Sequence, residues 1–554
     1  MFLPRSIASA SLLLFTLLPP AMAANPAGFK EALSGERIGL LPADRFRLSR
    51  GTCTDCPTLP QSLWYFKNDV IAVPGPAQPV SSFVPQAVTV DDIRTWADSK
   101  GAATPALPGL VWLGAPHILD EATILPNGRA LRTHDGGTAT LRLVPKIPAN
   151  LSYWDASTTR FFSQGAVRMR GELKNVDGAQ AFVARTVWPK HFDFAPARMT
   201  AQPLAAGETL RSFVQDGGGG AASAFATRLL WERAPGAARH WQDRPAMGIM
   251  LNGAQGDDDE AYGGHFAIAT GVIGHRGQWG DWLVNNFYNL DSFSEKGIVA
   301  APVPMDNYLL DLNSGQQYYR PSYMMVAVLS NPRTAAAYQG GVQRVFNNFY
   351  RHDFTYQHAA ANCAGISMDV FRGLGWNVPE RGATSRLKAI GAYAYLAAKD
   401  MSLRSGRRIY DYLTEEQVRL YPAVAFEAAG TDLLQLVGAA PGMARTLSPY
   451  EQQLRADVDA IMLVRIPQVP SSRAMGSHPV FSFDEFMART PPDQKDWKVV
   501  PVGPRPFPAA LRDGAPEPSA PFPVPLPVAA IVLFIAAGVV ALVRRRRPAS
   551  ARRG

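Results

Sequence analysis

The sequence predicts an α+β protein with its parts in series along the chain. Three observations lead there. Residues 24–235 are broken repeatedly by Pro and Gly and carry short alternating or apolar runs at 110–113, 138–144 and 182–187, the pattern of a mostly β domain of sandwich or barrel type. A period-two run at 265–272 reads as a strand bearing His265. From about residue 331 onward helical spacing dominates, and one of those helices opens at Cys363.

At 554 residues the chain exceeds one ordinary core, so two or three domains are expected. Apolar residues make up 47% and charged residues 18%, enough apolar material for sizeable cores and too little charge for a disordered chain. The formal charge is +9, but the last eleven residues hold six arginines and no acid. The basic balance is therefore a property of the tail. It argues against a nucleic-acid partner and for a basic segment beside a membrane surface.

Both termini carry targeting patterns. Arg5, the apolar run 12–18 and Ala21-Met22-Ala23 make a secretory signal with an A-x-A cleavage site, assigning 1–23 to a signal peptide. At the other end, ten prolines in 501–527 predict an extended stalk. The uninterrupted apolar run 528–543 predicts one transmembrane helix, and the basic tail 544–554 stops transfer. Val524-Pro525-Leu526-Pro527, the apolar run and the arginines also resemble bacterial C-terminal sorting signals, which imply removal of the tail after export. The expected location is a bacterial cell envelope, single-pass in the inner membrane with the main body periplasmic. Cys53 and Cys56 form a C-x-x-C in loop sequence. In an oxidising compartment a local disulfide is the leading reading, with a redox pair or a metal site as alternatives.

Between the termini, Gly217–220 after Asp216 mark a hinge, since no lysine follows to make a phosphate loop. Helices are expected at 221–231, 331–351, 385–398, 414–428 and 449–464. The acids 257–260 lack the alternation of a calcium loop and read as a solvated turn. The units so defined are 24–235, β-rich; 236–440, carrying the chemistry; and 441–500, a mixed extension.

The chemistry centres on His265 and Cys363. In the strand 265–272 the bulky Phe266, Ile268 and Val272 fall on one face, and His265 with small residues on the other, which leaves room there for a helix or substrate. Cys363 lies at a helix start, where unpaired N–H groups and the helix dipole favour a thiolate. A thiol nucleophile needs a base, which His265 supplies, and a group to orient that base. The strand expected at 281–288 places Asn289 opposite His265, with Asn285 and Asp291 as alternatives. Asn362, next to the thiol, is positioned to present its amide near an oxyanion.

Gly264-His265-Phe266-Ala267-Ile268 followed by Asn362-Cys363 and its helix resembles the circularly permuted papain-like superfamily, in which the histidine precedes the cysteine. Its members include NlpC-type cell-wall peptidases and lecithin:retinol acyltransferase-like enzymes. The resemblance covers about 130 of 554 residues. It implies a permuted papain-like domain over 236–440, Cys363 as nucleophile, His265 as base, and no metal or organic cofactor. The expected activity is a membrane-tethered thiol hydrolase on peptidoglycan-type amide bonds through a thioester. The alternatives are a lipid or lipoprotein acyltransferase with the same pair, and a non-catalytic exported binding protein. Nothing in the sequence fixes the oligomeric state.

Overall fold

The computed structural model describes residues 39–42, 61–66, 69–74, 89–99, 107, 111–112, 115, 117–145, 154–216, 223–254, 259–287, 301–312, 320–350, 356–359, 361–470 and 476–499. Four short strands, β1 (Gly39–Pro42), β2 (Gln61–Phe66), β3 (Asp69–Pro74) and β4 (Val111–Trp112), pair in sequence order. Helix α1 (Thr89–Ala97) lies between the last two in sequence. Strands β5 (His117–Ile124), β6 (Ala130–Arg132), β7 (Thr138–Leu143), β8 (Val167–Val176) and β9 (Ala179–Pro189) close into a barrel in the order β5-β6-β7-β9-β8. The runs at 138–144 and 182–187 supply the one parallel pair of that barrel, with Thr140 opposite Ala181. The β-rich pattern read from the first region is thus built as a small barrel.

A seven-stranded antiparallel sheet organises the rest. Its order is β10 (Ala226–Glu232), β16 (Val458–Ile466), β15 (Ser322–Leu329), β11 (Pro245–Asn252), β12 (His265–Val272), β13 (Leu283–Asn286) and β14 (Ala301–Pro304). Both faces are covered. One apolar cluster joins Phe266, Ile268, Met325 and Ile461 to the helices α3 (Arg333–Tyr350), α4 (Cys363–Leu374) and α7 (Pro422–Leu436). The other joins Ala267, Ala269, Met324 and Met462 to the barrel and to the short helix α2 (Met305–Leu310). The sheet takes β10 and β16 from either side of the 236–440 stretch, so the central core draws on all three expected units.

Several elements differ from the sequence reading. The helix expected at 221–231 is strand β10, whose β-branched and aromatic residues pair with β16. The helix expected at 449–464 stops at Asp457 and continues as β16. With both faces buried, β16 shows an unbroken apolar run, which periodicity cannot tell from a buried helix. The region 414–428 holds the last residue of one helix, a short helix Gln417–Leu420 and the beginning of α7, which Pro422 opens at its first position. The transmembrane part of the expected architecture is corrected: among the described residues no helix is long and apolar enough to cross a membrane, and 528–543, like 1–23, lies outside them. The α+β class stands.

Two ion-pair sets fix the N-terminal elements to the sheet. Arg344 on α3 makes a bidentate pair with Asp92 on α1 at 2.7 and 2.6 Å, both buried. On the other face Arg170 of β8 donates to Asp306 of α2 at 2.8 Å, Thr186 of β9 donates to the same oxygen at 3.0 Å, and Arg185 reaches Asp311. Removing one partner of a buried pair strands the other charge. Asp92→Ala is therefore expected to destabilise the fold by roughly 3 kcal/mol, read as a lower melting temperature, while Arg168→Ala, whose partner Asp281 is half exposed, lowers it much less.

Candidate functional site

The site is built where one end of the sheet meets the start of α4. Asn362 caps that helix. Its Oδ1 accepts from Ala364 N–H at 3.0 Å and Gly365 N–H at 2.9 Å, and its Nδ2 donates to the carbonyls of His358 at 3.0 Å and Leu420 at 2.9 Å. Helix starts leave N–H groups unpaired, and an asparagine cap satisfies them. The side-chain amide expected near an oxyanion is thus spent on two backbone carbonyls. Cys363, the first helical residue, is only 5% exposed. Its own N–H makes a long 3.4 Å contact to the Tyr356 hydroxyl.

The sulfur meets a set of donors: the backbone N–H of Phe266, the N–H of Ala364, the Tyr356 hydroxyl and, electrostatically, the Arg320 cation. Each favours a thiolate. Burial nevertheless outweighs them and pushes the thiol above its usual range. The resting thiolate expected from the helix start is therefore not the favoured form; the helix dipole acts against a desolvation penalty that the sequence does not display.

His265 opens β12 directly after Gly264, whose φ is +69°. A Cβ at Gly264 would lie 2.5 Å from the Asn252 carbonyl and 2.7 Å from Pro479, so only glycine admits this entry to the strand. The imidazole Nε2 donates to Asn286 Oδ1 at 3.2 Å, which leaves Nδ1 as the basic nitrogen. Burial first, and the Arg320 cation second, push this imidazole down to about 3, while the Asn286 bond pulls the other way. His265 and Cys363 are thus both neutral at rest, and both feel Arg320.

The imidazole's hydrogen-bond partner is Asn286. Asn289, the sequence choice, lies outside the described residues, as do Cys53, Cys56 and Asp291. Asn285, the other alternative, faces away and bonds to Gln339 and the Ile268 carbonyl. The register sets Ile268 opposite Asn285, one to three residues short of a symmetric turn about 277 or 278, because the Gly274–Gln278 and Trp279–Trp282 backbone bonds tighten the connection. Around the imidazole stands a buried polar set. The Tyr308 ring lies 6.2 Å away, Tyr308 donates to Asn252 Oδ1, and Asn252 donates to Ser322 at 2.8 Å. Tyr308 rides on α2, the helix braced by the barrel arginines.

Strand alternation adds a constraint. Phe266 and Ile268 pack in the cluster that contains Cys363; Ala267 and Ala269 pack in the other. His265 and Asn286 therefore belong to the barrel-side face, and α4 covers the bulky face and not the small one. Thiol and imidazole approach the sheet end from opposite faces, with the Phe266 amide joining them.

Residues 476–480 close over this end. Ala254 N–H donates to the Ser477 carbonyl at 2.7 Å and Val480 N–H to the Tyr262 carbonyl at 2.9 Å. Asp259, expected in a solvated turn, is buried and exchanges backbone and side-chain bonds with Lys498.

The imidazole makes a pH prediction. Its folded pKa, about 3, lies below the ordinary 6.5, so the unfolded chain binds the proton first. Its contribution is intact above about pH 6.5 and is lost as pH falls towards 3. The stability difference between wild type and His265→Gln is expected to shrink by roughly 4 kcal/mol across that window, measured by denaturant unfolding at each pH. Asn362→Ala is expected to cost about 2 kcal/mol, because two buried N–H groups and two carbonyls lose their partner. No protein-family model, curated protein or solved structure matches this chain.

Proposed function

We propose that this protein is a thiol hydrolase of the permuted papain-like kind, cleaving amide bonds in an exported compartment. The observation that carries the reading is the convergence on one sheet end of Cys363 at a capped helix start and His265 on its Asn286 partner, joined by the Phe266 amide that meets the sulfur. The export pattern at 1–23 supports the compartment.

The two neutral groups define the chemistry. As the sulfur attacks a carbonyl carbon, His265 Nδ1 takes the thiol proton, so that charge appears only along the reaction path. The carbonyl π electrons move to oxygen. Cys363 N–H, held only by its 3.4 Å contact, and the Tyr356 hydroxyl serve the oxyanion. Collapse breaks the C–N bond, the imidazolium returns its proton to the leaving amine, and water releases the acid from the thioester. Arg320 favours negative charge on sulfur and oxygen and shortens the life of the imidazolium. The buried polar set of Asn252, Asn286, Tyr308 and Ser322 suits a peptide amide better than an acyl chain.

A second reading, a non-catalytic binding protein, is favoured by one observation: thiol and imidazole are each 5% exposed and belong to opposite faces of the sheet. Acylation separates the two. Incubated with p-nitrophenyl acetate, the wild type is expected to carry an acetyl thioester on Cys363, found by peptide mass spectrometry, with release of p-nitrophenolate. His265→Ala is expected to slow this by roughly a hundredfold or more. Equal acylation in that variant, or none of Cys363 in folded wild type, sinks the enzyme. Arg320→Gln is expected to move the acylation rate profile to higher pH, and Arg320→Lys to restore part of the shift.

A further inference from the structure

Helices α5 (Arg386–Lys399) and α6 (Leu403–Thr414) form an antiparallel hairpin joined by three residues. They meet closely at Gly406, where a Cβ would lie 2.7 Å from the Tyr393 carbonyl and 2.9 Å from Ala397 Cβ. The base is tied to the body through buried Leu413 and a Lys388–Asp484 ion pair at 2.9 Å. The tip is different. Met401 is 92% exposed, Tyr395 64% and Leu403 62%; with Leu387, half of the eight exposed large apolar side chains of the described residues lie on this hairpin.

Three features of the tip point the same way. Apolar side chains at such exposure are unfavourable in water, and clustered they mark an interaction surface. Met401 also sits at φ +49°, the left-handed position after a helix end that glycine usually fills. The α5 end closes there through Ser402 N–H to the Ala397 carbonyl at 3.0 Å, so a thioether occupies a place where glycine would relieve strain. Finally, the hairpin carries Arg386, Lys388, Lys399, Arg404, Arg407 and Arg408 against Asp400 and Asp411 alone. Lys399, Arg404 and Arg408 are exposed beside the apolar tip.

We infer that the α5–α6 hairpin is an interfacial anchor for an anionic phospholipid surface, with Met401 and Leu403 entering between headgroups and Lys399, Arg404 and Arg408 against their phosphates. Apolar residues collared by cations are what such an interface selects. The inference does not depend on Cys363 chemistry.

The test is amide hydrogen exchange of residues 395–408 in the full chain, with vesicles of phosphatidylglycerol or of phosphatidylcholine. Exchange is expected to slow several-fold with the anionic vesicles and to stay unchanged with the neutral ones. In M401D/L403D the slowing is expected to vanish. Met401→Gly is expected to melt at or above the wild-type temperature and still lose part of the protection, which separates binding from folding. The inference is overturned if anionic vesicles leave this segment unprotected, if M401D/L403D is protected equally, or if soluble polyglutamate protects it without lipid, which would assign the tip to an acidic protein partner.

Discussion

The fold depends on a constraint that antiparallel sheets usually escape: the seven-stranded sheet is buried on both faces. Helices cover one side, and the barrel with α2 covers the other. The central strands must therefore be apolar in both directions, and β15 is buried along its whole length, while the edge strand β10 is only partly covered. One group of buried polar side chains gathers at a strand end, where Asn252, His265, Asn286 and Ser322 stand side by side. A second, smaller polar set, Thr270, Asn285 and Gln339, is buried on the helix side and bonded within itself.

The same constraint explains what was legible in the sequence. Strand β12 was readable because small residues alternate with large ones; β16 was not, because Ile461, Met462, Leu463 and Val464 are all buried and leave no alternation. His265 and Cys363 announced themselves through residue type and a helix-start pattern. Asn286 did not, because choosing among the asparagines of 285–289 requires a register accurate to one residue, and the tight bonds of the 273–282 connection are invisible in composition. Arg320 acts from a segment far away in sequence, and Tyr356, though only seven residues before Cys363, carries no local pattern that marks it. The direction of the thiol shift was missed for a related reason: dipole and cap are local and can be read, whereas desolvation is set by distant elements.

The N-terminal barrel also acquires a part in the site. Its arginines hold Asp306 and Asp311 at the two ends of α2, and α2 holds Tyr308 beside the imidazole. The barrel thus stiffens the buried polar set from behind, through charge-assisted bonds sealed from water and weakly screened by salt.

The position of β16 bears on how the molecule assembles. It lies between β10 and β15, and among the described residues it is the one strand paired with β10, whose other side carries an isolated bridge from Ala201 to Leu229. A chain that emerges from its N-terminus displays β10 more than 220 residues before the strand that pairs with it. Until then an apolar edge waits uncovered, a state that invites association with other chains. During synthesis, the sheet that carries His265 is completed last, when β16 and nearly the whole body have been delivered.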